Sequence, residues 1–305
     1  MNESLLSEFL LLEFSNVREL QILHFIAFLV FYLAAVAGNV LIISAIVSDQ
    51  RLHTPMYFLL MNLAILDVGQ VSVIFPQTIL NSLFNTRHIS YSGCVAQVLL
   101  FVLFSISDFS LLTAMAYDRY VAICNPLQYE LLMNKQACIK MVTTVWIVSF
   151  LYAVLHTGGT FAPPFCSNVV NQFFCEIPQL LKLACSDLYQ IETGALFLSA
   201  IILLCCFTYI VVTYVHIFTA VLRIPSVQGR QKAFSTCLPH LIVVSIFVST
   251  GSVSHLKATS NSTSHMDLVF TMVYTMVPPL MNPVIYSMRN KEIKHALSKL
   301  LGLMY

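Results

Sequence analysis

Charge is what this chain has least of. Only 10% of its 305 residues are Asp, Glu, Lys or Arg, while 58% are hydrophobic; soluble domains carry roughly 25% charged residues. That composition excludes a water-soluble globule and makes lipid the solvent. No block of basic residues occurs and the formal net charge is +1, so no nucleic acid is expected as a partner. Residues 1–21 lack the positive start and small-residue cleavage site of a secretory signal, so the first apolar run is expected to act as its own signal. His-Glu-x-x-His, a phosphate-binding glycine loop and a Gly-x-Ser-x-Gly elbow are all missing, which speaks against a membrane enzyme. The two halves share no motif and only one run has a compelling break, against the inverted repeats of a transporter or channel.

What is present is a succession of long apolar runs. Ile22 to Val47 has no charge and is long enough to cross a bilayer of about 30 Å at about 1.5 Å per residue. Six more follow, near Met56 to Leu83, Tyr91 to Tyr117, Met141 to Thr160, Thr193 to Leu222, Ala233 to Leu256 and Leu268 to Met288. The expected fold is an all-α membrane protein: one domain over residues 1–305, with residues 22–288 forming a seven-transmembrane helix bundle. Most basic residues, among them Arg51, Arg119, Lys135, Arg230 and Lys291, fall on one side; only Arg18, Arg87, Lys182 and Lys257 fall on the other. The positive-inside bias then makes residues 1–21 extracellular and 289–305 a cytoplasmic tail. The sequons at Asn2 and Asn261 both fall on the outer side, where glycosylation is expected. In the tail, Ile293, Ala296, Leu297 and Leu300 recur between lysines as in an amphipathic helix on the inner leaflet; a segment that frays into solvent is the competing reading.

A few polar residues stand out against this background. Asp118 and Arg119 end the third run, as a membrane-boundary ion pair or an ordinary surface pair. Asp67 and Asp108 lie inside spans, which is costly without a shared cation, a shared proton or polar contacts such as Asn39, Ser110 and Asn282. In Pro278-Pro279-Leu-Met-Asn282-Pro283-Val-Ile-Tyr286 a proline frees a backbone carbonyl that Asn282 can satisfy, a hinge candidate. Tyr214 and Tyr286 can reach towards Arg119 or serve as interface anchors. Cys166, Cys175 and Cys185 share one loop-like segment with Cys94 nearby in the plan, and read as oxidised; the other five cysteines read as buried thiols.

Four motifs in order, Leu52-His-Thr-Pro-Met-Tyr57, Met115-Ala-Tyr-Asp-Arg-Tyr-Val-Ala-Ile-Cys124, Lys232-Ala-Phe-Ser-Thr-Cys237 with His240, and Pro279-Leu-Met-Asn-Pro-Val-Ile-Tyr286, resemble those of the olfactory receptors, rhodopsin-like G-protein-coupled receptors. The resemblance implies disulfides Cys94–Cys175 and Cys166–Cys185, and a sodium site at Asp67 and Asp108. It also implies a G-protein switch built from Asp118, Arg119, Tyr120, Tyr214, His240, Asn282, Pro283 and Tyr286. It further implies a heterotrimeric G protein of the stimulatory olfactory type as partner, cyclic AMP as output, and the plasma membrane as location. Asn125, Thr213 and Val248 depart from the family pattern, and Val248 puts a hydroxyl-based trigger in the sixth span in doubt. The ligand wall is expected at Phe101, Val102, Ser105 and Ile106 of the third span, Leu198, Ser199 and Ile202 of the fifth, Gly251, Ser252 and His255 of the sixth, and Met272 and Thr275 of the seventh. An apolar lining with hydroxyls and one imidazole suits a small neutral odorant; packing between helices is the alternative for several of these side chains.

Overall fold

The computed structural model of the protein describes residues 7–185, 189–223, 225–258 and 265–302, with some side chains of the last two long helices outside that description. In chain order the elements are β1 (Glu8–Leu10), α1 (Arg18–Ser48), α2 (Pro55–Phe84), β2 (His88–Ser90), α3 (Tyr91–Cys124), α4 (Tyr129–Leu132), α5 (Lys135–Phe161), α6 (Ile177–Leu181), α7 (Tyr189–Leu222), α8 (Val227–Ala258), α9 (His265–Arg289) and α10 (Lys291–Leu300). Seven of the helices are long and pack as a bundle. Among the described residues, six are long and apolar enough to cross a membrane, and α8 carries a shorter apolar stretch, His240–Ser249.

The helices outrun the apolar stretches that announce them. The first begins at Arg18 rather than Ile22, and the third continues from Tyr117 to Cys124. Apolar length measures contact with lipid, whereas the helix itself stops only where its end groups find other partners. Pro55 sits in the first turn of α2, where its missing N–H costs nothing. Ser90 caps α3 by accepting from the Gly93 amide, and Asn134 caps α5 by accepting from that of Ala137. Asn85 closes α2 in the left-handed region, at φ 53°.

The stretch before α1 is more than a leader. Glu8–Leu10 pairs antiparallel with His88–Ser90, Phe9 opposite Ile89, and Leu10 also bridges to Val169. Phe9 is fully buried among the rings of Tyr91, Phe161 and Phe165. Two disulfides, Cys94–Cys175 and Cys166–Cys185, tie this end together. At the opposite end α10 lays Ile293 and Ala296 against the bundle while Lys291, Lys294 and Lys299 stay exposed, so the tail is an amphipathic helix rather than a frayed end. Asn290 caps it, and the Tyr57 hydroxyl donates to Glu292 Oε2 (2.5 Å) while accepting from Asn290 Nδ2 (2.9 Å).

Candidate functional site

At the α10 end of the bundle, Asp118 and Arg119 are both buried. They do not pair with each other: Asp118 Oδ1 accepts from the Tyr129 hydroxyl at 2.8 Å, and Arg119 Nε has no hydrogen-bond partner. The expectation that Asp118 would hold Arg119 is therefore corrected. Consecutive helical residues diverge by about 100°, and Asp118 turns to the α4 side. Burial and the adjacent carboxylate push the Tyr129 hydroxyl's pKa up, so it stays a donor. Tyr120 sets its ring edge-on to His216.

Tyr214 is buried on α7, facing α8. Its hydroxyl contacts His240 Nδ1 at 2.7 Å, and His240 Nε2 lies 2.9 Å from the Leu112 carbonyl. A carbonyl only accepts, so Nε2–H donates to Leu112, and in an uncharged ring Nδ1 then accepts a hydrogen bond from the Tyr214 hydroxyl. One imidazole thus bolts α7 and α8 to the backbone of α3. The Tyr286 side chain lies outside the described residues.

Midway along the bundle, Asn282 Nδ2 donates to Asp67 Oδ2 at 2.8 Å. Asp67 Oδ1, Asp108 Oδ1, Asn282 Oδ1 and Ser107 Oγ are buried without a partner. Asn39, expected as a contact of the acids, instead donates to the Ala35 and Pro279 carbonyls at 3.0 and 2.9 Å. Pro283 has no N–H for the carbonyl four residues earlier, which is that of Pro279. Asn39, and not Asn282 as anticipated, satisfies the freed group. Gly38 makes the approach feasible: a Cβ there would press on the Pro283 ring at 3.2 Å.

The ligand wall is only partly assembled as expected. Leu198 and Ile202 are 59% and 54% exposed on the outside of the bundle, a correction to their assignment, whereas Ser199 is buried. Positions 198 and 202 share one helix face and 199 lies about 100° round from it, so they cannot all look inward. Phe101 packs edge-on against Phe174 of the loop and near Tyr274, and Val102 packs with the loop cluster around Cys94 and Cys175. Ser105 Oγ is buried and unpartnered, and Ile106 is partly buried beside it. Thr275 is fully buried with its hydroxyl turned back on the Thr271 carbonyl, so it has no free donor for a ligand. Met272 packs against the cluster of Phe75 and Phe174. The surroundings of Gly251, the side chains of Ser252 and His255, and the sequons at Asn2 and Asn261 lie outside the described residues.

A buried polar cluster that the apolar pattern of the sequence does not single out joins α5 to α7. His156 of α5 contacts Glu192 Oε1 of α7 through Nδ1 and Ser199 Oγ through Nε2 at 3.1 Å, with the Tyr152 ring tilted against its own at a centroid distance of 4.2 Å. Gly159 leaves the room that the Glu192 carboxylate occupies. The signal was a histidine inside an otherwise apolar run and a glutamate opening the next one. At the roof, Gln97 accepts from the Cys175 amide at 2.8 Å and donates to the Val73 carbonyl at 3.1 Å, and the Tyr274 hydroxyl donates to Glu176.

Comparison with known proteins sets this geometry in context. The family model described as olfactory receptor matches residues 28–303. Olfactory receptor 14A16 of Homo sapiens is 47% identical over 301 residues, 98% of this chain and 97% of that protein. Olfactory receptor 14I1 of Homo sapiens is 48% identical over 305 residues, 100% of this chain and 98% of that protein. Squid rhodopsin superposes with a TM-score of 0.70 at 17% identity, covering 95% of this chain and 88% of that one, which speaks to the fold alone.

Proposed function

Because the chain belongs to the olfactory receptor family, and so is an odorant-sensing G-protein-coupled membrane receptor and not an enzyme, we propose that it binds a small neutral volatile inside the bundle, activates a stimulatory olfactory-type G protein and raises cyclic AMP. The observation that carries this reading is the His240 bolt beside a buried Arg119 with an unpartnered nitrogen. Outward movement of the inner end of α8 would break the His240–Leu112 bond, release Tyr214 and uncover Arg119 for the carboxy-terminal helix of the G protein. Tyr286 and the Asn282-Pro283 hinge follow that movement. A ligand stabilises the open form only by its differential affinity for it, and a few kcal/mol is enough to change the signalling population.

The ligand wall of this reading runs over Val102, Ser105, Ile106, Ser199 and Met272, completed by Gly251, Ser252 and His255. Among the described residues of that wall, Ser105 Oγ is the hydroxyl with capacity left for an odorant oxygen. A sodium ion held by Asp67 and Asp108, with Asn282 beside Asp67, belongs to the same proposal. The oxygens Asp67 Oδ1, Asp108 Oδ1 and Asn282 Oδ1, buried without partners, fit a hard cation, and no group of three or more His, Cys, Asp or Glu among the described residues suits a transition metal. The disulfide end is taken as extracellular and the Arg119 end as cytoplasmic in the plasma membrane, supported by the uneven spread of Lys and Arg.

Arg119→Ala tests the reading. It should abolish odorant-evoked cyclic AMP while leaving odorant binding and surface level largely intact. A mutant that raises cyclic AMP like the parent at equal surface density would refute the coupling role.

A further inference from the structure

The ligand wall is roofed by the loop between α5 and α7. Positions 101 and 105 share one face of α3, as do 102 and 106, so the way from the buried Ser105 Oγ to the disulfide end runs past Phe101 and Val102. Phe174 of the loop is fully buried with its ring 5.1 Å from that of Phe101, and Val102 packs in the cluster of Cys94 and Cys175. Besides the disulfide to Cys94, the Cys175 amide donates to Gln97 Oε1 at 2.8 Å. These bonds fasten the loop after Phe174.

Ahead of Phe174 the fastening comes from the amino-terminal segment. The amides of Leu10 and Leu12 donate to the carbonyls of Asn168 and Gln172, and the Val170 amide donates to the Leu10 carbonyl, each at 2.8 Å. On its other edge the same segment is tied to the connection between α2 and α3: the Leu11 amide donates to the Arg87 carbonyl (2.7 Å), the Tyr91 amide donates to that of Ser7 (3.0 Å), and β1 pairs with β2. Gln172 passes the hold inward, donating through Nε2 to Thr271 Oγ1 of α9 at 2.9 Å, and Phe173 and Phe174 follow it directly. Backbone hydrogen bonds near water exchange for bonds to water at little net cost, so side-chain burial decides how firmly the segment is seated. Phe9 is 0% exposed, enclosed by Tyr91 of α3, Phe161 of α5 and Phe165 of the loop, and one ring thereby joins all three.

We propose that residues 7–12 are a latch on the roof of the ligand site, with Phe9 as its positioning residue: the buried ring holds the strand against residues 168–172 and, through Gln172, keeps Phe174 on Phe101. Exchange of ligand with water at the disulfide end then requires the strand to unseat. The latch rests on the reading that the odorant lies along this wall, and it acts without touching the odorant.

The test needs no odorant. The full receptor carrying Ser105→Cys is placed in lipid nanodiscs and treated with the charged thiol reagent 2-(trimethylammonium)ethyl methanethiosulfonate, which arrives from water and not through lipid. Its rate at position 105 is read by mass spectrometry of the peptide holding that residue, apart from the free cysteines elsewhere in the chain. A buried thiol reacts only from the opened form, so the rate follows the population in which the roof has lifted. Phe9→Ala should raise that rate about tenfold or more, as the loss of a fully buried phenyl ring predicts, and Phe9→Leu, which keeps most of the apolar volume, should raise it less. Ile293→Ala makes a cavity at a fully buried position of α10, at the opposite end of the bundle, and should leave the rate unchanged. Equal rates in Phe9→Ala and its parent overturn the latch, and so does the same acceleration in Ile293→Ala, which would report general loosening. If Phe9→Ala does not fold, an unchanged rate in Phe9→Leu overturns it instead. Neither odorant nor G protein enters the readout, so failure here leaves the receptor reading standing.

Discussion

His156→Leu separates a polar strut from mere packing. The imidazole is 2% exposed and joins Glu192, 4% exposed, to Ser199, so it links α5 to α7 inside the bundle. Leucine fills much of the same space but strands the Glu192 carboxylate against an apolar side chain. Breaking a buried pair by removing one partner costs about 3 to 5 kcal/mol, because the remaining charge has lost its compensation. At about 2 °C per kcal/mol for a chain of this size, the unfolding midpoint of the purified receptor should fall by roughly 6 to 10 °C. Replacing both partners by leucine removes the stranded group and should recover most of that loss. The measurement is a double-mutant cycle of thermal unfolding in nanodiscs over His156→Leu, Glu192→Leu and the double variant. If the single variants melt within about 1 °C of the parent, or if the double variant is no more stable than either, the pair is not a strut and the reasoning fails.

Other consequences are open to direct measurement. Cys175→Ser opens the bond to Cys94 across a sequence separation of 81 residues; with about 2 to 5 kcal/mol lost, little receptor should reach the cell surface, and normal surface staining would count against the bond's importance. Asp108→Asn should change basal signalling or its dependence on sodium; superimposable sodium titrations for parent and variant would favour a structural role for the acid.

The sequence by itself determined the things that depend on composition and local order. Low charge and long apolar runs demand helices that satisfy their own backbone in lipid, so the bundle and its element order were legible, as were the four ordered motifs and the cysteines that pair. Tertiary structure decided whatever depends on rotation about a helix axis or on chain ends meeting. An apolar run does not reveal which face looks inward when lipid and core are equally apolar, so Leu198 and Ile202 read like Ser199 until their exposure separated them. Adjacency made Asp118 and Arg119 look like a pair, but their divergence on the helix gives Asp118 to Tyr129 and leaves Arg119 beside the His240 bolt. The Pro279 carbonyl is satisfied by Asn39, more than two hundred residues away in the chain, and the strand before α1 finds its partner only after α2. Such meetings are set by packing over long sequence separations, for which the local pattern of residues carries no signal.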